Sequence, residues 1–151
     1  MIRLSRKSVL ALEAVVDIAC NARPQPVQAK EITKRQGIPQ RYLENVMQSL
    51  VHAGILRGVR GPRGGYRLGR ERRKITAGEI VRLVAQIEQN EEPEPTAPIS
   101  PLGLRVVGPV IDDMQADMMR RLDLLTVEEL CLRAEREGLS EPAEPTADFI
   151  I

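Results

Sequence analysis

The chain contains few of the residues that most often build metal sites, disulfides and nucleophilic catalytic centres. Its 151 residues include two cysteines and one histidine. Cys20 and Cys131 show no metal-ligand spacing, and two isolated cysteines are typical of the reducing cytosol rather than of a disulfide-stabilised secreted domain. We therefore predict a cytoplasmic protein with no metal and no cofactor. Each thiol is expected to pack as a small apolar side chain, and a redox-sensitive Cys131 is the alternative.

The usual signatures of an enzyme and of a membrane protein are also missing. With His52 as the only histidine, the sequence offers no Ser-His-acid set. The glycine-rich segment 61–65 lacks the Gly-Lys-Ser/Thr ending of a phosphate-binding loop, and an apolar strand-like run follows it rather than a helix. No apolar run approaches the roughly 20 residues that a membrane span requires. We predict that the protein is not an enzyme and has no contact with a membrane.

Charge divides the chain into two unlike halves. Residues 1–85 carry 17 Lys and Arg against 6 Asp and Glu, whereas residues 86–151 carry 5 against 15. Such a division is typical of a nucleic-acid-binding half joined to a segment with another task. Two solvated faces of one domain remain the simpler alternative.

Residues 57–68, Arg-Gly-Val-Arg-Gly-Pro-Arg-Gly-Gly-Tyr-Arg-Leu, are the most informative part of the sequence. Glycines and a proline separate two short apolar runs, 55–56 and 66–68. This pattern predicts a β-hairpin, because glycine supplies the positive φ angles of a tight turn. The segment holds no acid, and guanidinium groups suit phosphates or a minor groove. The arginines predicted to contact DNA from this hairpin are Arg57, Arg60, Arg63 and Arg67.

Three helices are predicted before the hairpin, over 8–22, over 28–36 with Gly37 as its end, and from Pro39 onward. The first has an apolar series at three- and four-residue steps, namely Val9, Leu12, Val16, Ala19 and Cys20. The third has a buried stripe formed by Leu43, Val46, Met47 and Leu50. Two helices joined by a turn and followed by a hairpin form a winged helix-turn-helix.

The second helix of such a pair enters the major groove, where its outward polar side chains can read bases. The candidate base-reading residues here are Arg41, Tyr42, Glu44, Asn45 and Gln48. Glu44 has an alternative role, which is to hold Arg41 or Arg60 in place. Lys7 and Lys30 are candidates for contacts with the DNA backbone.

The segment after the hairpin is predicted to serve assembly. Thr76 and Glu79 form a capping box that starts a helix over 77–87, so the DNA-binding domain spans 1–87. A linker rich in proline and acid follows over 88–108. Helices over 109–138 then carry an apolar stripe that predicts pairing with a second subunit, and folding back on the chain's own domain is the alternative. The stripe consists of Ile111, Met114, Met118, Leu122 and Leu125, and an acidic tail over 139–151 ends the chain. The fold class is therefore mainly α with a small β-hairpin wing and a long dimerisation helix.

The residues over 36–44 and over 60–66 resemble the Rrf-two family of bacterial transcription regulators, and the resemblance extends over about 1–138. It implies a homodimer whose two winged helices bind a palindromic operator in double-stranded DNA. It also assigns base reading to Tyr42 and Glu44 and a wing contact to Arg60. Members that hold an iron–sulfur cluster carry three cysteines between the fourth helix and the dimerisation helix. The matching segment, 86–109, has none, which places the chain in the cluster-free branch.

Within that branch, the resemblance implies control by a small molecule or a partner protein, and cysteine metabolism is one candidate pathway. Asp148 and the three residues after it resemble the tail, ending in isoleucine, that serine acetyltransferases dock into cysteine synthase. The tail residues predicted to bind such an enzyme are Phe149, Ile150 and Ile151. The leading hypothesis is a DNA-binding repressor. A winged-helix module that scaffolds such an enzyme without touching DNA is the alternative.

Overall fold

The computed structural model describes residues 4–92 and 100–141. In these residues, three helices are followed by one hairpin and then by further helices, as the sequence predicts for a winged helix. The elements are α1 (Arg6–Asn21), α2 (Ala29–Gln36), α3 (Gln40–His52), β1 (Leu56–Val59), β2 (Gly65–Leu68), α4 (Ala77–Glu91), α5 (Gly108–Leu124) and α6 (Val127–Arg136). A π-helical turn, Gly103–Val107, leads directly into α5. No helix in the described part of the chain has both the length and the apolar character to cross a membrane.

Helix α1 lies at the centre of the fold and contacts α2, α3, α4, α6 and β2. Its deepest face is formed by Ala11, Ala14, Val15 and Ile18, which are fully buried, whereas Val9 is 42 % exposed. Of the predicted stripe, Ala19 is buried and Leu12, Val16 and Cys20 pack partly buried against the core. Only Val9 was misplaced, and the deepest face lies beside the predicted one. Small side chains on the buried face let the surrounding helices approach the α1 backbone closely.

The turn between α2 and α3 is short and built on a glycine. Gly37 has a φ of 68°, a left-handed conformation that favours glycine, and its N–H donates to the Thr33 carbonyl at 2.9 Å. After the turn, α3 buries the predicted stripe from Leu43 to Leu50 against the core. The opposite face of α3 therefore points away from the protein, as a recognition helix requires.

The hairpin is an antiparallel pair in which Arg57 lies opposite Arg67 and Val59 lies opposite Gly65. Val27, in the segment between α1 and α2, exchanges two backbone hydrogen bonds with Tyr66 at 3.0 and 2.7 Å. A Cβ atom at Gly65 would lie 2.4 Å from the Val27 carbonyl oxygen. Glycine is thus required at this position because the base of the wing is fixed to the helical body by close backbone contact.

The predicted helix start at Thr76 is confirmed, since its side chain accepts from the Glu79 N–H at 3.2 Å. Glu79 does not complete the capping box and instead binds Arg70. At the other end of this unit, the Ala77 N–H donates to the Leu125 carbonyl at 2.8 Å and the Val127 N–H to the Ile75 carbonyl at 2.9 Å. The start of α4 and the start of α6 are therefore held side by side.

Two predicted boundaries need correction. The linker over 88–108 is shorter, because α4 continues to Glu91 and residues 101–108 are already helical. Helix α6 is not part of a separate dimerisation unit over 109–138, since Val127 and Cys131 are buried in the same core as α1. The backbone contacts at Thr76 and Thr126 return the chain to the winged-helix body, a pairing that local sequence does not reveal.

Candidate nucleic-acid interface

A buried acid sets the position of the helix-turn-helix. The Asp17 carboxylate of α1 is inaccessible to solvent and accepts from Arg35 Nε at 2.9 Å, Arg35 Nη2 at 2.7 Å and Gln36 Nε2 at 2.8 Å. A fork-shaped guanidinium matches a carboxylate in this two-point geometry. Both partners lie in the last turn of α2. This contact therefore fixes the end of α2, and with it the turn that aims α3.

The outward face of α3 presents four polar side chains at helical spacing. Arg41, Glu44, Asn45 and Gln48 are all exposed. Within the described residues Arg41 makes no side-chain hydrogen bond or ion pair, while Glu44 accepts from Gln40 Nε2 at 3.3 Å rather than from Arg41 or Arg60. This face combines donors and acceptors that can pair with base edges in a major groove.

Tyr42 lies elsewhere on α3. It is half-buried, and its hydroxyl donates to the backbone carbonyl of Lys7 at 2.5 Å. Burial raises the pKa of Tyr42 to about 12, with smaller contributions from Glu88 and Glu91. The phenol therefore keeps its proton and serves as a donor that joins α3 to the start of α1. In the structure its hydroxyl supports α3, in contrast to the base-reading role that the family resemblance assigns.

Glu91 is a residue of the interface that the sequence did not point to. It sits at the end of α4, where its carboxylate accepts from Asn45 Nδ2 at 3.2 Å and binds Lys7 Nζ at 3.3 Å. Nearby, Glu88 accepts a hydrogen bond from the Ser5 hydroxyl. These acids border a cavity of about 350 Å³ between α3, α4 and the start of α1. Two candidate DNA contacts, Lys7 and Asn45, are thus partly engaged by an acid.

The wing presents cations without a neighbouring acid in its own strands. Arg57, Arg60 and Arg63 are exposed, with Arg60 and Arg63 on either side of the turn at Gly61, whose φ is 108°. Lys30, in the first turn of α2, is exposed as well. These side chains are free to reach a phosphate backbone.

Arg67 differs from the other arginines of the wing, because its guanidinium is already engaged within the chain and is not free for the DNA contact predicted for it. It is half-buried, and its guanidinium donates to the backbone carbonyls of Ala22, at 3.2 Å, and Pro24. Those carbonyls belong to the segment that follows α1. Arg67 therefore ties β2 to the segment between α1 and α2.

The family model described as Rrf2, iron-dependent transcriptional regulator, matches residues 4–133. The chain belongs to the Rrf2 family. It is 40% identical over 82 residues to the HTH-type transcriptional regulators IscR of Vibrio atlanticus, where the match covers 54% of this chain and 47% of the relative, and of Escherichia coli O1:K1 / APEC, where it covers 54% and 51%. The matched stretch thus spans about half the length of these curated relatives.

Solved structures match over more of the Rrf2 chain. T. potens IscR superposes with a TM-score of 0.71 at 28% identity, over 96% of this chain and 95% of that one. CymR (YrzC), the global cysteine regulator of B. subtilis, superposes with a TM-score of 0.65 at 28% identity, over 88% of this chain and 98% of that one. These likenesses confirm the predicted winged helix with a long helix after it.

The donor set of this Rrf2 protein does not fit an iron–sulfur cluster. Such clusters are held by cysteine thiolates, and the segment 86–109 has neither cysteine nor histidine. The chain's two cysteines are in contact with each other, with their Sγ atoms 3.5 Å apart. Within the described residues, no three His, Cys, Asp or Glu side chains are grouped as metal ligands.

The predicted dimerisation stripe divides into two parts in the structure. Leu122 and Leu125 are half-buried at the end of α5 that packs on α4, where Arg82 Nη2 also binds Asp123 Oδ2 at 2.7 Å. Met118 is half-buried too, and Met119, which lies outside the predicted stripe, is 7 % exposed. Ile111 and Met114 instead belong to an exposed series toward the start of the helix. This apolar stripe, each member 40–65 % exposed, consists of Leu102, Leu104, Val106, Val107, Val110, Ile111 and Met114.

The residues predicted for a partner enzyme, Phe149, Ile150 and Ile151, lie outside the described residues.

Proposed function

We propose that this Rrf2 protein is a sequence-specific DNA-binding repressor that acts as a homodimer on a palindromic operator. The observation that carries the proposal is the pairing of the exposed polar face of α3 with the arginine wing on one core. Arg41, Glu44, Asn45 and Gln48 supply base-reading chemistry, and Arg57, Arg60 and Arg63 supply cations for the backbone. The excess of positive charge in residues 1–85 supports the same function.

The apolar stripe supports the homodimer. Seven large apolar side chains on one stretch of helix exceed what an isolated soluble helix usually exposes. Within this set, Leu104, Val107, Ile111 and Met114 follow one another at steps of three and four residues, which places them along one side of the helix. A second copy of the chain can bury the stripe if its α5 crosses the α5 of the first copy. The two winged helices would then face two half-sites of one operator, whose symmetry follows that of the dimer.

We further propose that the protein regulates without an iron–sulfur cluster. The support is the donor set, since the segment that would hold a cluster lacks thiols and imidazoles. Control then comes from a small molecule or a partner protein. The likeness to a solved structure of a cysteine regulator makes genes of cysteine metabolism the first candidates for regulation.

DNA binding has a distinctive signature, which is its dependence on salt. Genomic fragments selected with the tagged protein supply the operator, and fluorescence anisotropy measures its affinity at several salt concentrations. With about six to ten phosphate contacts, the affinity should fall about 10³- to 10⁵-fold between 50 and 200 mM salt. Arg60→Ala should reduce the slope by about one per copy of the residue.

Arg133→Ala is the matched control, because Arg133 lies on α6 and is paired with Glu129 at 3.1 Å. It removes an equal charge and should leave the salt slope unchanged. Binding that is absent, or insensitive to salt, would instead favour a protein-interaction module that does not touch DNA.

A further inference from the structure

The fold brings the chain's two cysteines together. Cys20 lies in the last turn of α1 and Cys131 in the middle of α6, 111 residues apart in sequence, yet their Sγ atoms are 3.5 Å apart and share a hydrogen bond. Both are free thiols. An S–S bond is about 2.05 Å long, so the sulfur atoms must approach by about 1.5 Å to bond. This approach takes place between α1 and α6, which already pack on each other.

The two thiols differ in access and in acidity. Cys20 is partly exposed, whereas Cys131 is buried. The hydrogen bond shared with Cys131 is the largest cause that lowers the pKa of Cys20 to about 7. Ser140 and Arg72 lower this pKa further, whereas burial and Asp17 oppose them. The same hydrogen bond, together with burial, raises the pKa of Cys131. Cys20 is thus accessible to solvent as a thiolate, and the buried Cys131 next to it remains a protonated thiol.

We propose that Cys20 and Cys131 form a redox-active dithiol that hydrogen peroxide or an organic hydroperoxide converts into an intramolecular disulfide. The Cys20 thiolate attacks the peroxide and breaks its O–O bond, giving a Cys20 sulfenic acid and, after protonation, water or an alcohol. The Cys131 sulfur then attacks the Cys20 sulfur and loses its proton, and the sulfenic hydroxyl leaves as water. Two thiols give up two electrons, which reduce one peroxide.

The disulfide would fasten α6 to α1 and close a loop that contains the wing, α4 and α5. Because a cross-link over so long a loop restricts the unfolded chain, the oxidised protein should unfold at a higher temperature than the reduced protein. The two cysteines are not among the proposed DNA contacts. A negative result for this dithiol would therefore leave the proposed repressor function unaffected, and the reverse also holds.

The experiment treats the reduced full chain with equimolar hydrogen peroxide at neutral pH, then blocks free thiols and maps the peptides. The wild type should lose both thiols together and yield a Cys20–Cys131 linked peptide from a single chain, which dithiothreitol reverses. Cys131→Ala should stop at a Cys20 sulfenic acid, trapped by dimedone. Cys20→Ala should retain its Cys131 thiol at the same dose.

Circular dichroism checks that both alanine variants are folded, and the wild-type peptide map decides the matter even if one is not. Wild-type protein with both thiols still free would overturn the proposal. A Cys20 sulfenic acid that persists beside a free Cys131, or a disulfide between two chains, would also overturn it.

Discussion

At the scale of single residues, Glu91 has the clearest consequence for DNA binding. Its carboxylate holds Lys7 and Asn45, so a phosphate backbone or a base must displace it from both. Glu91→Gln removes the charge but keeps the shape. We expect the operator to bind about 1.4- to five-fold more tightly, since an exposed ion pair of this kind is worth about 0.2–1 kcal/mol. Fluorescence anisotropy at fixed salt measures the change.

Glu92→Gln is the matched control, because it removes the same charge at the next residue. The Glu92 side chain is exposed and makes no ion pair within the described part of the chain. A general loss of repulsion between the protein and DNA would strengthen binding equally in both variants. Such equality would show that the contacts of Glu91 with Lys7 and Asn45 are irrelevant to the affinity.

Residues differ in how far sequence reveals their roles, and the reason is the distance over which their partners act. Thr76 and Thr126 cap helices through N–H groups three residues away, so their roles could be predicted from local pattern. Asp17, Glu91 and Cys20 act through partners 18 to 111 residues away. Only the packing of helices brings those groups together, and no spacing in the sequence encodes it.

At the scale of elements, the wing shows how one residue type serves two tasks. Arg57 and Arg67 face each other across the hairpin, and sequence composition treats them alike. The structure separates them, because Arg67 reaches two backbone carbonyls after α1 while Arg57 stays exposed. The hairpin itself was predictable from its glycines, but the division of labour among its arginines was not.

Arg67→Met retains the aliphatic stem and removes the two hydrogen bonds. We expect it to lower the free energy of unfolding by about 1.5–3 kcal/mol, the usual range for hydrogen bonds made by a charged group. Chemical denaturation measures the loss. Hydrogen exchange at the Tyr66 and Val27 N–H groups, which join the wing to the body, should become faster.

Arg57→Met serves as the control for this change. It should alter stability by no more than about 0.5 kcal/mol, as is usual for an exposed position, yet weaken binding to the operator. If Arg67→Met behaved in the same way, Arg67 would be a DNA contact, as the sequence analysis predicted.

At the scale of the whole molecule, the apolar residues at the end of α5 pack within the chain, whereas those at its start are exposed. Its end is fixed to the winged-helix body by the Arg82–Asp123 pair and by the backbone bond from Ala77 to Leu125. Gly78 permits this close approach, since a Cβ atom there would collide with Asp123. The sequence stripe predicted a helix that seeks a partner. The sequence could not show that Leu122 and Leu125 have their packing partners within the same chain.

The exposed apolar stripe yields the prediction for assembly. Met114→Glu places a charge within it, where burial against a second subunit would leave that charge without water or a partner. We expect the dimer dissociation constant to rise by about two orders of magnitude, equivalent to about 2.7 kcal/mol. Sedimentation equilibrium measures the constant. Binding to an operator with two half-sites should weaken in parallel, because the affinity gained from joining the two DNA-binding domains is lost.

Ala116→Glu is the matched control, since Ala116 is exposed on the same helix and lies on the side opposite Met114 at 3.6 residues per turn. It adds the same charge to the same element and should leave both the dimer and its DNA affinity intact. Dimers of equal strength in the two variants would place the subunit interface elsewhere. Equal weakening in both would point to a general effect of charge or of helix stability. Selective loss in Met114→Glu ties assembly to the stripe, and thereby explains why seven large apolar side chains remain exposed on a single chain.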